Sequence, residues 1–159
     1  MTDISISQLH GLAVSAAPVE IVERKGQGHP DTICDALSEV LGRSLCRYYI
    51  DRFGLILHHN VDKALLCGGA AEPAFKGGRV TEPIEIFLTG RATCEVRGQT
   101  VPVEELAQEA CGEWLRTHMH ALDVEHDVRL HTMIRPGSRE LVELYLGQKQ
   151  TGIALANDT

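Results

Sequence analysis

Residues whose types and spacing can do chemistry gather first between Val19 and Asp35, in the run VEIVERKGQGHPDTICD. Gly26-x-Gly28 permits a tight backbone directly before a helix, His29 stands at or next to the helix cap, and Pro30 suits the first turn. The free N–H groups of a helix start attract anions, phosphates above all. Arg24 and Lys25 lie just upstream and add positive charge. Asp31, in the same first turn, opposes this: a carboxylate about 4 Å from a phosphate repels it by roughly 4 kcal/mol at an effective dielectric of about 20. A hard divalent cation between the two removes the conflict, and Mg2+ commonly takes one carboxylate together with phosphate oxygens and waters. Asp35 lies one turn on, on the same face, as a direct or outer ligand. Ordinary helix-start chemistry, with Asp31 simply complementing the helix dipole, fits the same spacing.

Two further stretches offer polar groups. In His58-His59-Asn60-Val61-Asp62-Lys63, adjacent histidines on a strand point to opposite faces and make a poor pair for one metal. Asn60 and Asp62 share a face and offer oxygen ligands, and Lys63 can meet a phosphate or a carboxylate; a polar hairpin tip is the other reading. Arg135-Pro136-Gly137-Ser138-Arg139 combines a glycine turn, a hydroxyl and two cations at a helix start, which suits a nucleotide contact or a capped loop equally. His118, His120, His126 and His131 show no metal spacing, and no GxxxxGK[ST] loop exists.

The elements that must position these residues are legible from punctuation and periodicity. Pro30 opens a helix whose apolar residues Ile33, Leu37, Val40, Leu41, Leu45 and Tyr48 carry it to near Arg52, where Gly54 stops it. Leu55 to His59 and Lys63 to Gly68 read as two strands joined by a turn at Asn60-Val61-Asp62. Ile84, Ile86 and Leu88 alternate in a third strand that continues towards Val96, followed by a turn at Arg97-Gly98-Gln99. Pro102 opens a second helix with the stripe Val103, Leu106, Ala107, Ala110, Trp114 and Leu115. Val128 to Ile134 is a further strand, and Ser138 caps a third helix through Leu144. Short connections favour antiparallel pairing, giving an α+β fold with helices packed on one face of a mostly antiparallel sheet. Residues 1–18 read as an N-terminal extension, 19–147 as the α+β domain and 148–159 as a loop leading into a missing remainder.

Composition narrows the class. The 159 residues are 43% hydrophobic and 23% charged, values of a globular chain rather than a disordered one. Only 4% are aromatic, so Leu, Val, Ile and Ala must build the core. Net charge is −7, concentrated between Val101 and Asp127, where seven acids stand against one base. That argues against nucleic-acid binding and reads as a solvated helix face. No apolar run approaches the roughly 20 residues that span a bilayer, and no secretory signal opens the chain, so a cytoplasmic protein is expected. Five cysteines without a CxxC spacing read as reduced, mostly buried thiols.

VERKGQGHPDTICD at 22–35, RFGLILHHNVDKALLCGG at 52–69, EPIEIFLTGRAT at 82–93 and ALANDT at 154–159 together resemble the archaeal-type S-adenosylmethionine synthetases, or methionine adenosyltransferases. The resemblance implies a transferase of one-carbon metabolism that joins ATP and L-methionine, displaces triphosphate, and cleaves it to pyrophosphate and phosphate. It implies one of the related α+β units of a pseudo-threefold synthetase that works as a homodimer, with Mg2+ and possible K+ as cofactors. By resemblance His29 is the catalytic contact to the leaving triphosphate, and Asp31 and Asp35 are metal ligands. Gly28, His29, Lys63, Pro136, Gly137, Ser138 and Arg139 would contact the nucleotide, and Asn157 and Asp158 the methionine. Arg135 stands where the pattern has glycine, and Ala154 where it has proline. The resemblance covers an N-terminal portion, by itself expected to be inactive. A non-catalytic nucleotide-binding or synthetase-pairing protein and a small metal-dependent phosphohydrolase are the alternatives; neither a nucleic acid nor a membrane is an expected partner.

Overall fold

A computed structural model describes residues 5–8, 10–138 and 147. The first long element is helix α1, Pro30–Phe53. His29 caps it, its Nδ1 accepting the Asp31 backbone N–H at 3.1 Å, and Pro30 takes the first helical position. Gly54 ends it in the left-handed conformation, with φ 76°. Ile33, Leu37, Leu41, Leu45 and Tyr49 are buried at strict four-residue spacing. Tyr49 therefore replaces the expected Tyr48 on the inward line; Tyr48 and Val40 are half-buried beside it.

Strands β1 (His59–Cys67), β2 (Ala70–Ala74), β3 (Gly77–Glu82) and β4 (Ile84–Ala92) follow, then the two-residue strands β5 (Glu95–Val96) and β6 (Gln99–Thr100). Helix α2 (Val103–His118), a single turn α3 (Val124–Asp127) and strand β7 (Val128–Pro136) complete the order. The main sheet runs β1-β4-β7, with β1 and β4 antiparallel and β4 and β7 parallel. The hairpins β2–β3 and β5–β6 are antiparallel, so antiparallel pairing predominates, as expected. The parallel β4–β7 pair departs from the short-connection argument, because α2 supplies the crossover that a parallel neighbour requires.

α1 and α2 lie on the same face of the main sheet. Ile86 and Leu88 of β4 and Ala107, Cys111 and Leu115 of α2 close over the α1 ridge in one core. The opposite face carries Leu65, Phe87 and Met133 beside Glu85, Arg129 and His131, placed there by the alternation of each strand. There Glu85 holds Arg129 at 3.0 Å and contacts His131, whose ring stacks on Phe87.

Three local expectations need correction. There is no turn at Asn60-Val61-Asp62: β1 runs straight through, and a bulge between Asn60 and Lys63 absorbs the irregularity. Leu55 to His58 is a lead-in rather than a strand. The third strand stops at Ala92, and Val96 belongs to the separate β5–β6 hairpin, turned at Arg97 and Gly98, both with positive φ. The β2–β3 hairpin went unread because both strands are exposed and lack apolar alternation. The helix expected after Ser138 lies outside the described residues.

The β1 bulge depends on Gly90. A Cβ there would stand 2.1 Å from the Asn60 carbonyl oxygen. Gly90→Ala is therefore expected to destabilise the fold by about 1–3 kcal/mol through backbone displacement. Gly42, inside α1 with nothing near its would-be Cβ, is expected to gain about 0.5–1 kcal/mol on substitution by Ala. Denaturant unfolding of both variants checks the contrast; equal effects would contradict the close approach at Gly90.

Candidate functional site

The start of α1 carries the first group of predicted residues. Residues 10–30, including Gly28 and His29, are exposed throughout. With Nδ1 of His29 accepting from the Asp31 N–H, the proton of the neutral ring sits on Nε2, which becomes a hydrogen-bond donor. Lys25 reaches forward to pair with the Asp31 carboxylate. That hydrogen bond and the Lys25 charge hold the Asp31 carboxyl below its ordinary pKa, with a smaller contribution from His29. Asp35 is exposed one turn on. Burial chiefly, and then the charges of Asp31 and Asp35, raise the pKa of the Cys34 thiol between them. Among the described residues no group of three His, Cys, Asp or Glu side chains could hold a metal, so Asp31 and Asp35 do not form a closed cation site.

The second group assembles at one end of the main sheet. Cross-strand register places Asn60, Arg91 and Arg135 in one row, and His59, Ala92 and Pro136 in the next. Arg91 donates to the Pro136 carbonyl at 3.2 Å, and the Gly137 N–H donates to the Ala92 carbonyl at 3.0 Å. The two stretches read as separate motifs are thus neighbours through β4. Arg91 was missed at the sequence level. It stands inside EPIEIFLTGRAT, but only strand register brings it beside Arg135.

Lys63 lies further along β1, exposed and 2.8 Å from the Asp62 carboxylate. His58 is buried. His59 is half-buried, with Nε2 3.4 Å from the Cys46 sulfur and Nδ1 2.8 Å from the Leu57 carbonyl. Arg139, Asn157 and Asp158 lie outside the described residues. The cysteines are all free; Cys111 is buried, its thiol pushed up to about 12, whereas Cys67 is exposed, against the expectation of mostly buried thiols.

The two groups do not meet. Tyr49 donates to the Thr93 carbonyl at 2.9 Å and packs against the His59 ring, which ties the second group to the far end of α1. Asp31 is eighteen residues up that helix, about 27 Å at roughly 1.5 Å per residue.

A sequence profile of the S-adenosylmethionine synthetase (AdoMet synthetase) family matches residues 2–159. The chain belongs to this family. It is 52% identical to a probable S-adenosylmethionine synthase of Aquifex aeolicus over 160 residues, covering all of this chain and 40% of the relative. It is 44% identical to the S-adenosylmethionine synthase of Thermoplasma acidophilum, covering 99% of this chain and 38% of that protein. The S-adenosylmethionine synthase of Pyrobaculum neutrophilum is 46% identical, over 98% of this chain and 40% of its own length. The chain thus spans about two fifths of the length of these curated relatives. The archaeal-type resemblance holds, and the shared length is consistent with an N-terminal portion. No helix among the described residues is long and apolar enough to cross a membrane.

The Lys25–Asp31 pair sets a pH dependence at the start of α1. A depressed native pKa stabilises the fold above the ordinary carboxyl value, and that contribution is lost as pH falls through the native pKa. Lys25→Met is expected to raise the Asp31 midpoint toward its ordinary value and to flatten this part of the acid limb. Carboxyl 13C NMR across acid pH measures it, and an unmoved midpoint would show that Lys25 does not hold Asp31.

Proposed function

We propose that the complete protein joins ATP and L-methionine to form S-adenosylmethionine. This chain would supply the triphosphate-facing part of one catalytic centre and a separate nucleotide- and methionine-contacting part of another. The observation that carries the reading is the capped start of α1. His29 turns Nδ1 inward onto its own helix and leaves Nε2–H as a donor at an exposed, anion-attracting helix end.

In the proposed reaction the methionine sulfur attacks C5′ of the ribose. The S–C5′ bond forms, the C5′–O bond breaks, and triphosphate leaves with the bonding pair. Sulfur is nucleophilic as it stands, so no general base is needed. The protein must position two substrates and stabilise the charge growing on the leaving oxygen. His29 would donate to that chain near the ribose, and Gly28 would let it approach the backbone. Subsequent hydrolysis of the chain gives pyrophosphate and phosphate.

The donor chemistry at Asp31 fits Mg2+: a hard carboxylate oxygen at a helix start, with phosphate and water oxygens to complete the set. Such a cation, when bound, neutralises phosphate charge. Lys25, which pairs with this carboxylate in the structure, would yield its place to the cation, and Asp35 would serve as a second, outer carboxylate. Lys63, Pro136, Gly137, Ser138 and Arg139 would contact nucleotide, and Asn157 and Asp158 the methionine amino group. The roughly 27 Å between the helix start and the sheet end supports a centre completed by another copy of the chain, a homodimer at least. It also disfavours a self-contained phosphohydrolase within the described residues. A cytoplasmic setting suits the use of ATP and the free thiols.

Two variants of the full-length enzyme test the reading. His29→Ala is expected to lower kcat by about 10²–10³ while changing the KM for ATP much less, because the donor acts where charge develops in the transition state. Steady-state kinetics with both substrates, Mg2+ and K+ decides it, and near-normal turnover overturns the assignment. Asp31→Asn is expected to shift the Mg2+ requirement to higher concentration, since an amide is the weaker ligand for a hard cation. An unchanged Mg2+ titration would leave Asp31 as a helix-start residue only.

A further inference from the structure

Rows of side chains cross the sheet face opposite the helices, and their charges are not balanced alike. At one end β4 and β7 set Glu85 beside Arg129 in register, and the carboxylate holds the guanidinium at 3.0 Å. At the other end the same two strands set Arg91 beside Arg135. Adjacent strands lie about 4.8 Å apart, so this is a like-charge pair placed directly opposite, which costs stability. Both side chains are exposed, and among the described residues no carboxylate lies within 4.0 Å of either. Asp62, in the bulge of β1, is engaged by Lys63. The chain carries 22 acidic residues against 15 basic ones, so the uncompensated row is a local arrangement and not a consequence of composition. Arg91 is nonetheless held in place: it donates to the Pro136 carbonyl at 3.2 Å and keeps further N–H groups of its fork for another acceptor. Asn60, in the same row on β1, adds a carboxamide that can donate beside the pair.

We infer that Arg91 and Arg135 form a substrate subsite that holds one oxyanion, a carboxylate or a phosphate, between their two guanidiniums. Planar forks match the paired oxygens of either group, and two of them neutralise one anion without a metal. The bound anion also relieves the repulsion between the two cations, so the arrangement that costs stability in the free chain favours the complex. The inference rests on the synthetase reading above, which supplies two sources of such a group: the α-carboxylate of L-methionine and the phosphates of ATP. The row leads directly into Pro136-Gly137, which that reading gives to nucleotide. Arg91 has a double part, binding the oxyanion and fixing the Pro136 carbonyl, whereas Arg135 serves the oxyanion alone.

Arg135→Gln in the full-length protein tests this. Its KM for one substrate is expected to rise about tenfold to a hundredfold with kcat changed much less, because the contact is made in ground state and transition state alike. A rise for L-methionine identifies the carboxylate, and a rise for ATP the phosphate. Arg135→Lys should recover only part of the loss, being a point charge without the fork. Without ligand, Arg135→Gln should unfold at the same or a higher urea concentration than the wild type, one of two like charges being gone. Titration calorimetry with L-methionine and, separately, with sodium tripolyphosphate reads the subsite without turnover. A wild-type protein that makes no S-adenosylmethionine therefore sinks the synthetase reading by itself, and the calorimetry still decides the subsite. Three results overturn the inference. One is an Arg135→Gln variant with both KM values and both affinities unchanged. Another is an unliganded variant that unfolds at lower urea, which makes Arg135 a structural residue. The third is a wild-type protein that neither turns over nor binds either probe.

Discussion

Thr93 is the polar knot on which the sheet end of the molecule depends. It is buried, and its N–H and hydroxyl both donate to the His58 carbonyl, at 2.9 and 3.0 Å. Its own carbonyl accepts the buried Tyr49 hydroxyl. Three parts of the chain distant in sequence, the last turns of α1, the lead-in to β1 and the exit of β4, are therefore fixed by one residue. A buried polar group left unpaired costs about 1–3 kcal/mol, so each member of the knot constrains the others. The apolar ridge of α1 gives burial; the knot decides which way the helix end is aligned with the strands. Asn60, Arg91 and Arg135 inherit their common row from that alignment.

The start of α1 is governed by different physics. Its neighbours from residue 10 to 30 are exposed, so among the described residues no packing defines the position of His29. Local devices do so instead: the cap from His29 to the Asp31 N–H, the proline in the first turn, and Lys25 folded back on Asp31. Such devices fix direction more than distance. They orient a donor and a carboxylate at the helix end while leaving the volume in front of them open, which suits a large anionic ligand whose remaining contacts come from elsewhere.

Local chemistry is also what was legible in the sequence. The capped helix start, its proline and Gly54 were readable because each acts within four residues of itself. The inward ridge was readable up to Leu45, but Tyr48 and Tyr49 are adjacent aromatics, and only the Thr93 carbonyl selects between them. Asn60-Val61-Asp62 looked like a turn because its residues favour turns; what keeps it in a strand is the absence of a side chain at Gly90, thirty residues away. The parallel β4–β7 pair is non-local in the same way, whereas the β2–β3 hairpin is local but exposed, without the apolar alternation that marks a strand. The site divides along the same line. His29, Asp31 and Asp35 could be proposed from one short motif, whereas Arg91 acquires meaning only through register with Asn60 and Arg135.

The departure at Arg135 gains a physical sense from that register. A glycine there would leave the loop backbone free to approach a ligand, and an arginine forgoes that freedom. Arginine instead brings a second guanidinium to the row already holding Arg91, whose own guanidinium is engaged by the Pro136 carbonyl. Two cations on adjacent strands repel unless something anionic lies between or over them. A row with this charge stands at the end of the sheet and leads into the Pro136-Gly137 turn. Positive charge is thus gathered near both ends of α1 by two unrelated devices: a helix terminus with Lys25 beside it at one end, and paired guanidiniums at the other.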